Sequence, residues 1–251
     1  MDRRTESDLD IDKISVYELM TQQFTYTGND NLEAMKEACN YNAFLVSLIE
    51  NLKPTGKILD IGAGIGLYAE MLREKGYDIS CLEPDLSQAK ILKTKGFKVY
   101  TSVNEIDCPF DFMYALNVLE HIENDAEAIT EWMKQLKDNA KLLIYVPAFE
   151  MLFSSMDRKV GHFRRYTRKL LTKRITDNHL NIYQSARYAD SIGFFISLIY
   201  KIIGNKSGNI NTKTLVFYDR FLFPFSKICD FFFQKKFGKN VYIVVQNNLG
   251  K

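Results

Sequence analysis

The sequence predicts an α/β fold built on a doubly wound parallel sheet. Two observations carry that expectation. Strand-like apolar runs alternate with segments of helical spacing from residue 57 to residue 146, the pattern of parallel strands joined by right-handed helical crossovers. The first strand, Lys57-Ile-Leu-Asp-Ile61, runs straight into Gly62-Ala63-Gly64-Ile-Gly66. Glycines at every second position let the chain turn sharply and let a ligand approach the backbone closely.

The elements follow in order. Residues 1–30 are mixed and read as an exposed lead, and residues 31–52 carry helical apolar spacing from Leu32 to Ile49, ended by Pro54-Thr-Gly56. Residues 1–52 thus form a helical lead, and residues 53–251 the main domain. Strand 58–61 leads through the glycine loop to a helix over 67–75, stopped by Gly76. Strand 79–83 follows, and Asp85 caps a helix to Lys95 that Gly96 stops. Strands at 97–100 and 110–116 come next, then a helix from Asn124/Asp125 to about Lys137 and a strand over 141–146 closed by Pro147. Thr167 caps a helix to about Asp177, and strands are expected at 181–188 and 241–245. Between those two strands lies an aromatic- and lysine-rich helical insert, about 190–239. Parallel sheets bind ligands outside the carboxyl ends of their strands. Asp60, Glu83, the 100–103 segment, Asn117 and Pro147 all fall at such ends and converge on one rim.

Which cofactor fits that rim follows from the acids. A dinucleotide loop wants G-x-G-x-x-G, but Leu67 stands where the third glycine would be. Asp60, just before the loop, would repel a pyrophosphate and suits an ammonium group. Glu83, in Leu82-Glu83-Pro84-Asp85, lies 21 residues beyond Gly62, where a ribose-binding acid is expected. An acid for an amino group, an acid for a ribose diol and no pyrophosphate cradle describe S-adenosylmethionine. A nicotinamide-linked oxidoreductase is the rival enzyme. A degenerate cofactor-binding partner subunit is the rival without activity, and it predicts a damaged loop.

Composition sets the outer bounds. The 251 residues are 46% apolar and 25% charged, ample for a core, and the net charge of +2 gives no general argument for nucleic acid. Cys39, Cys81, Cys108 and Cys229 are scattered without a C-x-x-C pair, so neither a metal site nor a disulfide framework is expected. A reducing cytoplasm fits best. The first twelve residues hold five acids and no apolar leader, and no run reaches the length of a membrane span.

Ile58-Leu-Asp-Ile-Gly-Ala-Gly-Ile-Gly66, Leu82-Glu83-Pro84-Asp85 and the segment from Phe110 to His121 together resemble class I S-adenosylmethionine-dependent methyltransferases. The likeness runs from about residue 33 to residue 246. It is closer to one bacterial subgroup, marked here by Ala38-Cys-Asn-Tyr41-Asn42, Val146-Pro147-Ala148 and Asp157-Arg-Lys-Val-Gly161-His162-Phe-Arg164-Arg165-Tyr166. Members of that subgroup often accompany sugar-transferring enzymes of cell-envelope glycan pathways. The resemblance implies a Rossmann-like sheet of seven strands with the last antiparallel. It implies that Asp60 holds the methionyl amino group, that Gly62, Ala63 and Gly64 line the methionine part, and that Glu83, followed by Pro84, takes the ribose hydroxyls. Ser102 and Val103 would border the adenine, although many relatives carry an acid near Ser102. Asn117 and Val118 would lie beside the sulfonium.

Methyl transfer from a sulfonium needs an aligned acceptor and excluded water, and a base only where the acceptor must lose a proton. His162, in a polar loop beyond the fifth strand, is the candidate base, or else it ties that loop down. His121 is expected to shape the cofactor pocket. Residues 158–174 hold eight Lys or Arg and no acid. Arg164, Arg165 and Tyr166 are the candidate acceptor contacts, suited to a phosphate-bearing sugar. Against that stands one buried arginine paired with Asp157 or Glu120 and a solvated face for the rest. No second basic stripe points to nucleic acid. The insert's phenylalanines, Phe217 to Phe237, roof the acceptor pocket, lie in a membrane interface with lysines toward lipid, or form a dimer surface. Tyr17, Tyr26 and Tyr41 are candidates for a lid. The expectation is a cytoplasmic enzyme, with peripheral membrane contact left open, that O-methylates a small sugar or envelope-glycan intermediate.

Overall fold

The computed structural model describes residues 28–203, 208 and 211–248. Tyr17 and Tyr26 lie outside that set. Seven strands form one sheet in the order β3-β2-β1-β4-β5-β7-β6. They are β1 (Lys57–Ile61), β2 (Asp78–Leu82), β3 (Lys98–Tyr100), β4 (Phe110–Leu116), β5 (Leu136–Pro147), β6 (Asn181–Ala189) and β7 (Asn240–Gln246). The first five pair in parallel, and β7 runs antiparallel to both β5 and β6. The expected seven-stranded architecture with an antiparallel last strand is therefore the one found.

Buried residues alternate along the strands and feed two cores. Leu142, Ile144 and Val146 of β5 face one core with Trp132 and Leu171. Leu143 and Tyr145 face the other with Leu45, Leu72 and Phe223. This period of two is what a strand buried on both faces requires. The covering helices are α1 (Asn29–Met35), α2 (Cys39–Glu50), α3 (Leu67–Glu74), α4 (Leu86–Thr94), α5 (Asp125–Lys134), α6 (Ser155–Val160) and α7 (Arg168–Asp177). The insert supplies α8 (Ser191–Ile203), α9 (Thr212–Phe217) and α10 (Phe223–Phe233), the last two joined by a π turn at Tyr218–Leu222.

Two boundaries differ from the expectation. The single helix expected over 31–52 is two helices, because α2 has a cap of its own. The carboxylate of Asp219, in the π turn, accepts from the amides of Asn40 (2.9 Å) and Tyr41 (2.8 Å). Asn42 then donates to the carbonyl of Met35 at the end of α1 (2.8 Å). The other difference is β5, which starts at Leu136 rather than 141 and takes up the end of the expected helix. Its extra length follows a register shift against β4 between Phe110 and Phe112.

The insert is helical as expected, but its aromatics divide. Phe223 is fully buried and meets the rings of Tyr41 and Phe44 edge-on. Phe225, Ile228, Phe231 and Phe232 are 61%, 64%, 75% and 69% exposed. Among these, Phe223 alone packs into the core. No helix among the described residues is long and apolar enough to cross a membrane.

Candidate functional site

The glycine loop leaves β1 at the centre of the sheet. Gly62 has φ +65, and its amide donates to the Leu82 carbonyl at the end of β2 (2.7 Å). A Cβ there would stand 2.6 Å from a methyl of Val118, so this glycine lets the loops after β1 and β4 touch. Gly64 has φ +57, and a Cβ there would meet only Gln88 at 3.4 Å and Leu32 of α1 at 3.6 Å. Gly62 is thus consumed by packing, whereas at Gly64 a Cβ would make only ordinary contacts and the positive φ is what favours glycine. Ala63, between them, also hydrogen-bonds to Leu82.

Glu83, just past β2, is buried. Its carboxylate accepts from the amides of Gly64 (2.7 Å) and Asp85 (2.9 Å), and burial raises its pKa. The loop and the ribose-type acid are therefore one hydrogen-bonded unit. Each oxygen keeps acceptor capacity for a diol. Pro84 passes the chain to Asp85, whose side chain caps α4 through Ser87 and Gln88. Asp60 is also buried, and its Oδ2 has no hydrogen-bond partner among the described residues. Burial, with the Glu83 charge nearby, pushes its carboxyl well above the usual range. A buried carboxylate oxygen without a donor is what an incoming ammonium group would complete. The chain fits the cofactor read from its sequence on both counts.

The remaining rim comes from four segments. Ser102 caps a short turn at Val103–Glu105 by accepting from Asn104, and Val103 packs against the core. Asn117, the residue after β4, holds φ +56 while its amide donates to the Tyr145 carbonyl (2.7 Å). Strain of this kind at the end of a central strand is often a mark of function. Val118 touches the Gly62 backbone. Tyr41 reaches in from α2, its hydroxyl 3.4 Å from that of Tyr145 and within hydrogen-bonding reach of Asn117. Tyr68 donates to Asn42 (3.1 Å). The Ala38-to-Asn42 signature thus serves two ends, the clasp on Asp219 and one wall of this rim. Tyr41 is the only lid candidate among the described residues.

The loop beyond β5 is built around Asp157. Ser154 and Asp157 form a capping box on α6, and Arg165 binds the same carboxylate through Nε (2.8 Å) and Nη2 (2.9 Å). His162 donates from Nδ1 to Asp157 Oδ1 (2.8 Å), leaving Nε2 3.9 Å from Oε1 of Glu120. The His121 ring crosses that of His162 at 4.5 Å, and desolvation followed by the His162 charge lowers its pKa to about 3. Arg164 is spent on the carbonyls of Ile122 and Glu123 and on Asp125 (3.0 Å). The Tyr166 hydroxyl donates to Asp125 (3.0 Å). Arg164 and Tyr166 therefore hold the loop to the segment after β4, and Arg165 holds it to Asp157 of α6 and to the Ala148 carbonyl. Arg165 is thus a buried arginine paired with Asp157, while Arg164 is paired with Asp125 rather than solvated.

Two residues drew little notice in the sequence. Glu120 is fully buried beside both histidines, and its adjacency to His121 was the available signal. Lys239, one residue before β7, is pinned between Ala148 and Asp190 by backbone hydrogen bonds (2.8 and 2.9 Å). Desolvation lowers the pKa of its amine. Because β7 is antiparallel, its start falls on the functional rim, which sequence spacing alone does not reveal. A broad depression lined by Gly56, Tyr77, Asp111 and Lys137 lies at the opposite rim, away from all of these groups.

Comparison with known proteins agrees with this geometry. A family model described as a methyltransferase domain matches residues 32–190. An uncharacterized methyltransferase of Staphylococcus carnosus is 31% identical over 144 residues, 55% of this chain and 69% of that protein. A ubiquinone biosynthesis O-methyltransferase of Rickettsia conorii is 29% identical over 97 residues, 35% of this chain and 34% of that one. Among solved structures, a possible histamine N-methyltransferase from Thermotoga maritima superposes with a TM-score of 0.59 at 14% identity, covering 87% of this chain and 95% of that one. A methyltransferase from Archaeoglobus fulgidus gives 0.53 at 16% identity, with 82% and 92% covered. The two solved structures share the fold.

Proposed function

Because the chain belongs to the methyltransferase-domain family, we propose that it moves the methyl group of S-adenosylmethionine to a hydroxyl of a small acceptor, a sugar or lipid-linked envelope-glycan intermediate. The observation that carries the cofactor half is the coupling of Gly64 to Glu83, with the unpaired Oδ2 of Asp60 beside them on one rim. Asp60 would receive the amino group, Glu83 the ribose hydroxyls, and the Gly64 backbone the methionine chain. Ser102 and Val103 would flank the adenine, and Asn117 and Val118 the sulfonium. The cofactor supplies an activated methyl group. The chain's own work is to align the acceptor with it and exclude water. Tyr41, Tyr145 and Asn117 form the wall that does this.

The acceptor half is supported by two things. The sequence resembles a subgroup that accompanies glycan-building enzymes. The exposed Phe225, Ile228 and Phe232 share one face of α10, with Lys227, Lys235 and Lys236 exposed around them. Such a helix suits a lipid surface that carries a lipid-linked substrate.

Calorimetric titration with S-adenosylmethionine, its demethylated product and NAD tests the cofactor half. The first two should bind and NAD should not. Glu83→Ala should weaken binding by roughly 1.5–3 kcal/mol, about ten- to a hundredfold. Binding of NAD in place of the other two would overturn the reading. Turnover with a panel of sugar and lipid-linked acceptors then tests the acceptor half.

A further inference from the structure

Glu120 is the group on the rim that the methyl-donor site does not explain. Its side chain is fully buried, and neither carboxylate oxygen meets a hydrogen-bond donor among the described residues. A buried carboxylate in that condition calls for a proton, a water or an ion. Two imidazoles close on it from different elements: His121 is its neighbour in the chain, and His162 comes from the loop after α6. One ligand atom from each of the three lies within 4.8 Å of the others.

The surroundings orient both rings as metal ligands are oriented. Histidine ligands commonly give their second ring nitrogen to a carboxylate or a backbone carbonyl, which fixes tautomer and direction. His162 gives Nδ1 to Asp157, itself locked by Arg165 and Ser154, so the lone pair falls on Nε2, toward Glu120. The His121 ring is held by the backbone at Val160 and Gly161. Ligands about 2.1 Å from a common ion stand about 3.0–3.4 Å apart, so the 3.9 Å gap between His162 and Glu120 closes by about half an ångström or a little more.

We propose that Glu120, His121 and His162 bind one divalent transition-metal ion. Two imidazoles and one carboxylate suit the zinc, manganese and iron class better than magnesium or calcium, which prefer oxygen. Three protein ligands leave coordination positions open for water or an acceptor oxygen. What the ion would do rests on the methyl-transfer reading above. An acceptor hydroxyl bound to it would lose its proton to water more readily. The resulting oxygen would attack the methyl carbon. The carbon–sulfur bond would break with its electron pair left on sulfur. His162 would then be a ligand rather than the free base expected from sequence, and the acceptor's proton would go to water.

Cobalt(II) titration of the full chain, stripped beforehand with a chelator, tests the site through visible absorption, with zinc(II) as competitor in calorimetry. One ion per chain is expected, displaced by zinc. Glu120→Gln, nearly the same shape, should weaken binding tenfold or more, and His162→Ala likewise. Circular dichroism and S-adenosylmethionine affinity report whether each variant folds. If His162→Ala does not fold, Glu120→Gln decides alone. Failure of the wild type to take up cobalt at 1:1, or equal affinity in Glu120→Gln, would overturn the ion site. Methyl-donor binding in chelator is read separately, so the ion can fail while the proposed function stands, and the reverse.

Discussion

Asp60 ties a single side chain to a measurable pH dependence. Burial, and after it the charge of Glu83, raises its pKa well above that of an ordinary aspartate. The sign follows from linkage. In the ligand-free protein the protonated form favours folding. That contribution is present below the unfolded value of about 3.9 and is lost as pH rises through the folded value. An ammonium group docked as proposed would reverse the preference, because it would pair with the carboxylate. Affinity for S-adenosylmethionine should therefore fall on acidification, beginning well above the usual carboxylate range, and binding should release a proton. Calorimetry in buffers of different ionisation enthalpy measures both effects. In Asp60→Asn the proton release should vanish, and affinity should drop by roughly 1.5–3 kcal/mol. A wild type whose affinity ignores pH would argue against the pairing. Asp60 and Glu83 drew notice in the sequence because Asp60 stands in β1 two residues before the first glycine and Glu83 directly follows β2, 21 residues beyond that glycine. Glu120 was not, since its importance rests on a histidine 42 positions later.

Elements that carry their own punctuation were read well, and elements finished by distant groups were not. Thr167 and Asp85 cap their helices as the sequence suggests, through Leu170 and through Ser87 and Gln88. The break between α1 and α2 escaped because its cap, Asp219, is 179 positions from Asn40. The basic run over 158–174 shows the same limit. Its composition allowed a phosphate site, and its partners became visible only once the loop closed on Asp157 and Asp125. A consequence for stability follows. Removing one partner of a buried ion pair leaves the other charge stranded, at a cost of roughly 3–5 kcal/mol. Arg165→Ala should destabilise the chain by about that much in urea unfolding, with a lower midpoint and an unchanged slope. A loss below about 1 kcal/mol, typical of an exposed pair, would show that the loop is not anchored there.

At the scale of the whole molecule, the strand count and the antiparallel last strand were implied by resemblance, and strand order was not read at all, since nothing local in residues 240–246 says that β7 enters between β5 and β6. The orientation of the insert was equally hidden, because helical spacing of aromatics is compatible with either a roof or an outward face. The outward face makes a prediction. Vesicles rich in anionic lipid should sediment the protein at low salt. Added salt should weaken the association, and Phe231→Ser with Phe232→Ser should weaken it further. Equal recovery with neutral and anionic vesicles would leave the lysines without a part. The clasp of Asp219 on α2 and the late arrival of β7 also set an order of manufacture. On the ribosome, the first helices emerge with bare amide ends, and β5 and β6 emerge with a gap between them. Both wait for residues made much later in translation. Nascent chains stalled before residue 219 should be open to protease at residues 36–42, however long they are held, and chains released past residue 246 should not.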